Sequence, residues 1–154
     1  MTRDKARAIA IGTDLLDRTG EGLKTGNWEQ FISCFGFPHR LDTFEGSYIV
    51  QTPEDMRSRF DAVRATHKAD CVTDLLRHTI AADWVDDTTI HHTHQSRPLS
   101  GTTLMLAPYT VFSVFEYRAG RWLVTSSQYA ISNADELNAA LGAPNATQKE
   151  DVND

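Results

Sequence analysis

Between Cys71 and Ile131 the chain breaks into four apolar-rich runs: CVTDLLRHTIAADWV (71–85), TTIHHTHQSR (88–97), TLMLAPYTVFSVFEYR (103–118) and RWLVTSSQYAI (121–131). Each is rich in β-branched and aromatic residues, which suit a pleated, half-buried surface. Asp86-Asp87, Pro98 to Gly101 and Ala119-Gly120 separate them. Links this short join antiparallel neighbours. Consecutive strands over this length predict one large sheet, which needs helices to cover a face.

Those helices lie upstream. From about Asp4 to Lys24, Ile9, Leu16 and Leu23 recur seven apart with Ala6, Ala10 and Leu15 beside them, the signature of one helix face. Thr2 is the expected N-cap. Gly12, Gly20 and Gly22 weaken this helix by up to about 1 kcal/mol each relative to Ala, so it leans on tertiary packing. Asn27 with Gln30 forms a capping-box pattern that opens a short helix bearing Trp28, Phe31, Ile32 and Phe35, stopped by Gly36 and Pro38. Between His39 and Gln51, RLDTF and SYIV flank Glu45-Gly46, a hairpin signal. Thr52-Pro53-Glu54-Asp55 supplies an N-cap, a first-turn proline and first-turn acids. A third helix therefore runs to about His67 with Met56, Phe60 and Val63 inward. Asn133 with Glu136 opens a last short helix to Leu141. Residues 1–142 form one domain, and the polar segment 143–154 is expected to be a disordered tail.

The 154 residues, of which 40% are hydrophobic and 23% charged, suit a single globular core. A net charge of −6 with scattered basic residues excludes a nucleic-acid partner, because phosphate binding needs clustered Lys and Arg. No apolar run approaches the roughly 18 to 20 residues a membrane span requires. Asp4 and Asp14 interrupt the N-terminal apolar stretch and no cleavage site follows, so the chain reads as cytoplasmic. Cys34 and Cys71 read as free buried thiols.

Helices, a hairpin, a further helix and then four strands give an α+β layout. A curved antiparallel sheet carries three helices on its concave face, and the hollow between them is the default ligand site. Three local patterns bear a likeness to a known group: LKTGNWEQFISCF (23–35) resembles its turn between the first two helices, TPEDMRSRF (52–60) the start of its third helix, and YRAGRWLV (117–124) its last hairpin. With the order of elements over about residues 4–131, they resemble the NTF2-like superfamily of cone-shaped proteins, in its SnoaL-like and ketosteroid-isomerase-like branch. The resemblance implies a cone fold with a small-molecule pocket. Members include isomerases, dehydratases, polyketide cyclases and hydrolases beside proteins with no reaction, so fold alone does not choose among them.

Asp42, on the first strand and eighteen residues before Phe60, falls near the position of the carboxylate base in isomerase members. The matching oxyanion positions fall near Thr19 and Phe112 and lack the Tyr and protonated Asp that such a reaction uses, which disfavours steroid isomerisation. Asp42 also reads as a solvated hairpin carboxylate beside Arg40. Alternation puts Val72, Asp74, Leu76, His78, Ile80, Ala82 and Trp84 on one face, making His78 either a pocket acid–base group beside Asp42 or a core histidine. Asp74 lies roughly 13 Å along the strand from His78, too far to pair with it. His92 and His94 share a strand face and could hold two positions of a metal, with His39, His78 or a carboxylate as third ligand. No matched ligand cluster is present, so no metal or cofactor is expected. Tyr109, Tyr117 and Tyr129 are candidate phenol donors, and with Asp42 and His78 they resemble the set of dehydratase-type relatives. The ligand-lining expectation is His39, Trp84, His92, Tyr109 and Tyr129, although tryptophans at such positions also serve as core packing.

Two functions stay open: a pocket protein whose Asp42 and His78 move protons on a small apolar organic substrate, or a non-catalytic ligand-binding or interaction module. Both faces of the 103–118 strand are apolar, with Leu104, Leu106, Phe112 and Val114 on one side and Met105, Val111 and Phe115 on the other. A homodimer through the sheet is the expected cover for the second face.

Overall fold

The computed structural model describes residues 3–143, so the expected Thr2 cap and the tail beyond Ala143 lie outside the described residues. Helix α1 (Lys5–Thr25) is capped by Asp4, whose side chain accepts from the Arg7 N–H, and ends at Gly26 in the left-handed region. Its buried face is Ala8, Gly12, Leu15, Thr19 and Gly22, not the seven-residue series expected, and Ile9 is exposed. The reason is steric. A Cβ on Gly12 would run into the His92 ring, and one on Gly22 would stand 2.9 Å from the Phe31 Cβ. Small residues let α1 lie close against its neighbours, and that contact offsets their poor helix propensity.

Asn27 caps α2 (Trp28–Ile32) through the Gln30 N–H. The helix stops earlier than the aromatic spacing predicts. Phe35 instead begins β1 (Phe35–Thr43) and pairs with Val124, with the exposed Pro38 at an irregular stretch of that pairing. β2 (Gly46–Val50) completes the hairpin, and α3 (Pro53–Ala69) follows the Thr52 cap and Pro53 as expected, burying Met56, Phe60 and Val63. The strands β3 (Asp74–Asp86), β4 (Thr89–Ser100), the two-residue β5 (Thr103–Leu104), β6 (Tyr109–Arg118) and β7 (Arg121–Ala130) precede α4 (Asp135–Leu141). The run expected as one strand over 103–118 is divided by the Pro108 region into β5 and β6.

The sheet order is β2-β1-β7-β6-β4-β3, with β5 on β4. It is curved and unclosed, and it is mixed, because β1 pairs parallel with β7 while the other pairs are antiparallel. The long path from β1 to β7 permits this, whereas every short link enforces antiparallel pairing. One core cluster joins Phe31, Phe60, Val63 and Val111 to α4, and a second gathers Ala8, Leu15, Ile90 and Phe115 at the other end of α1. Cys34 is buried and Cys71 is exposed, both free; Cys71 escapes the core because it sits with φ 57 in the turn after α3. Among the described residues no helix is long and apolar enough to cross a membrane.

Candidate functional site

The hollow of the sheet is covered by α1, α3 and α4, and it retains a cavity of about 90 Å³. That is room for a cluster of waters or a compact organic molecule. Leu15 and Leu23 of α1, Met56, Phe60 and Val63 of α3, and Leu137 of α4 give it an apolar roof. Phe60 meets Trp28 edge-on at 5.2 Å and Phe31 at 4.8 Å.

Besides Thr19, Arg59 and His67 from the helices, the polar groups come from the sheet, and the register explains which. Ser96 stands opposite both Arg77 and Tyr109, and His94 opposite both Thr79 and Val111. Cross-strand partners share a face, so these side chains converge on the concave side. Arg77, His94, Ser96, Tyr109 and Tyr129 line the cavity, with His39 entering from β1. His39, Tyr109 and Tyr129, three of the residues expected to meet a ligand, are thus on the cavity wall.

The other expectations fail for local reasons. Between Thr79 and Ala81 the β3 register shifts, with Ile80 as the extra residue. A bulge reverses the inward parity of everything before it relative to everything after. Leu75, Arg77 and Thr79 face inward, whereas Leu76, His78 and Ile80 are exposed on the convex side. His78 thus has no part in the cavity. Asp42 faces away from the cavity beside Arg40, whose Nε donates to Asp42 Oδ2 at 3.1 Å. Partial burial pushes its carboxyl up, but hydrogen bonds from Ser47 and Arg40 leave it below the ordinary carboxylate range. Four strand spacings separate β1 from β3, roughly 19 Å along the sheet, so Asp42 and His78 form no acid–base pair. Trp84 lies under the start of α1, donating its indole N–H to the Asp4 carbonyl at 2.9 Å and packing on Trp122. His92 shares the His94 face, but Gly12 of α1 closes over it and Thr79 Oγ1 holds its Nε2 at 2.9 Å. Neither of these two lines the cavity. Among the described residues no group of three or more His, Cys, Asp or Glu side chains could hold a metal.

Four histidines are buried. The His39 Nδ1 lies 3.1 Å from the Val124 carbonyl. A carbonyl only accepts, so Nδ1 carries the proton and Nε2 of the neutral ring is an acceptor. Burial pushes His39 and His92 down to about 4. Burial, followed by the Arg77 charge, pushes His94 down to about 2, and burial also lowers His67. All four are neutral at pH 7. Among the described residues His94 Nδ1 and His67 Nε2 have no hydrogen-bond partner, which is costly for a buried polar atom unless something else supplies one. Burial raises both phenols, Tyr129 to about 12, so they stay protonated donors.

Arg77, Arg59, Ser96 and His94 were missed as cavity residues. Arg77 and Ser96 lie in runs that read as plain alternating strand, and only the bulge, which has no sequence marker, turns Arg77 inward.

Sequence comparison finds no matching family model and no matching curated protein. Structure comparison finds several likenesses. A protein of unknown function with a cystatin-like fold from Nostoc punctiforme superposes with a TM-score of 0.63 at 15% identity, covering 86% of this chain and 97% of that one. An NTF-2 like protein of unknown function from Shewanella oneidensis gives 0.57 at 10% identity, covering 77% and 94%. A hexachlorocyclohexane dehydrochlorinase, LinA-type3, from Novosphingobium barchaimii gives 0.59 at 14% identity, covering 82% and 88%. At such identities the likeness concerns fold rather than reaction. The curved open sheet, the helices laid across its hollow and these superpositions together identify an α+β protein with the NTF2-like cone fold.

Proposed function

We propose that the chain is a small-molecule-binding protein that holds a compact, largely apolar organic molecule in the hollow of its cone. The observation carrying this reading is the cavity itself. Leu, Met, Phe and Val side chains roof it while a few polar groups converge from the sheet, the usual make-up of a ligand site. Binding is preferred over proton transfer because, among the described residues, no carboxylate lines the wall, and Asp42 is engaged by Arg40 on the other face. The bound molecule is expected to be compact, on the scale of a single aromatic ring, with the neighbouring side chains adjusting around it to enlarge the 90 Å³ space.

Indole tests the reading. Methyl resonances of Leu15, Val63 and Val111 should shift on titration, and the melting temperature should rise with indole concentration, as for any ligand that binds only the folded state. Shifts confined to surface residues, or no shift at millimolar indole, would end it.

The assembly expected from sequence also belongs to this proposal. Leu76 and Ile80 are 54% and 55% exposed on the convex side of β3, and Phe112 and Val114 lie half-buried on the outer side of β6. A second copy packed sheet to sheet would cover them. Sedimentation equilibrium at micromolar concentration should give twice the 17.2 kDa chain mass, and Ile80→Glu should return it to one chain. A wild-type monomer would refute the dimer and leave the cavity reading intact.

A further inference from the structure

We infer that the cavity is built for an organic monoanion, an apolar body carrying one carboxylate held by Arg77; this rests on the ligand-binding reading above. Two arginines line the cavity, Arg59 and Arg77. Arg59 is balanced by Asp55, with Nη1 donating to Oδ1 at 2.7 Å. Arg77 has no carboxylate within 4.0 Å among the described residues, as no ion pair includes it. Its Nη2 donates to the Leu16 carbonyl and to Thr19 Oγ1. The three N–H groups on Nε and Nη1 have no acceptor among the described residues. Burial lowers the Arg77 pKa, and the groups that most oppose this are the phenols of Tyr109 and Tyr129. The phenols are neutral at pH 7, and the next group to oppose the shift, the Asp17 carboxylate, acts from a distance and forms no ion pair with Arg77.

Arg77 is half-buried at the cavity wall, and an arginine keeps its proton there, so the wall carries one positive charge that no ion pair balances. Holding a half-buried charge without an ionic partner carries part of the desolvation cost, and an incoming anion offsets it. The neutral histidines add no positive charge, so the balance calls for one negative charge, not two. Guanidinium and carboxylate also match geometrically, as two parallel N–H···O bonds. Around that contact, Tyr109, Tyr129 and Ser96 offer hydroxyls, and His94 an unpartnered ring nitrogen. The apolar roof from α1 and α3 takes the remainder of the ligand.

Benzoate and benzamide separate charge from shape, since they differ little in size. Dissociation constants at pH 7.5, by NMR titration, should favour benzoate by about 10- to 100-fold in the wild-type chain, the range for a hydrogen-bonded charge. Phenyl phosphate, largely dianionic, should bind less tightly than benzoate. Arg77→Gln keeps a donor for Leu16 and Thr19 but no charge, and should bring benzoate and benzamide to parity. Arg77→Lys should retain part of the preference. Equal binding of the two probes by the wild type, or a preference that survives Arg77→Gln, overturns the inference while leaving the cavity reading standing. Failure of benzoate, benzamide and indole alike removes both. If Arg77→Gln does not fold, the wild-type ratio together with Arg77→Lys decides.

Discussion

Between pH 7 and pH 5 the protein is expected to lose about 5 kcal/mol of folding free energy, enough to bring an ordinary domain to the edge of unfolding. Three histidines carry this. His39 and His92 are pushed down to about 4 and His94 to about 2, in each case chiefly by burial, whereas in the unfolded chain each titrates near 6.5. As pH falls through 6.5 the unfolded state takes up protons that the folded state refuses. Stability is therefore complete above about pH 7 and lost downward until the folded values are reached. Once the unfolded forms are protonated, the slope approaches three protons, about 4 kcal/mol per pH unit. Lowered carboxylates such as Asp74 and Glu116 add their loss only at more acid pH. Urea denaturation from pH 7.5 to 5 measures the slope directly. His94→Phe and His39→Phe should each reduce it by about a third whatever they do to stability at pH 7.5. A slope below one proton would mean that these rings are not held neutral.

The parts of the fold legible in the sequence are those set by nearest neighbours. Thr52 and Pro53 open α3 as read because a cap and a first-turn proline act within four residues. Asn27 opens α2 for the same reason. What could not be read depends on partners distant in the chain. The parallel pairing of β1 with β7 is set across more than eighty residues. The buried face of α1 follows closeness of approach rather than hydrophobicity, with Gly12 chosen by the bulk of His92. The site suffered most from the one-residue bulge at Ile80, which exchanged His78 for Arg77. That exchange changes the chemistry, putting a permanent cation where an imidazole was expected. His39, Tyr109 and Tyr129 line the cavity because each stands on the concave side of its strand. His92 has the right parity too, but no single-strand pattern shows that a helix glycine will seal it off.

Arg59→Met is expected to cost about 3–5 kcal/mol, because it leaves a carboxylate inside the protein without its partner. Asp55 and Arg59 stand one turn apart on α3, with side chains 1% and 5% exposed. Beyond the ion pair, Arg59 donates through Nε to the Leu141 carbonyl at 2.9 Å and through Nη1 to the Asp55 carbonyl at 3.1 Å. The first of these ties the end of α4 to α3, so the loss includes that tether as well as the charge. Asp55→Leu alone should also destabilise, leaving the guanidinium unbalanced beside the cavity. The double variant should recover most of the loss, since removing both charges removes the desolvation cost along with the attraction. Urea denaturation of the two single variants and the double variant gives the coupling directly. Additive losses, or a cost below about 1 kcal/mol for Arg59→Met, would mean that the pair is not a closed electrostatic unit. The cycle also separates the two arginines of the cavity. If the Asp55–Arg59 pair is internally balanced, the double variant should keep its preference for benzoate over benzamide. If that preference vanishes with Arg59 while Arg77 is intact, the charge that selects the ligand has been assigned to the wrong arginine.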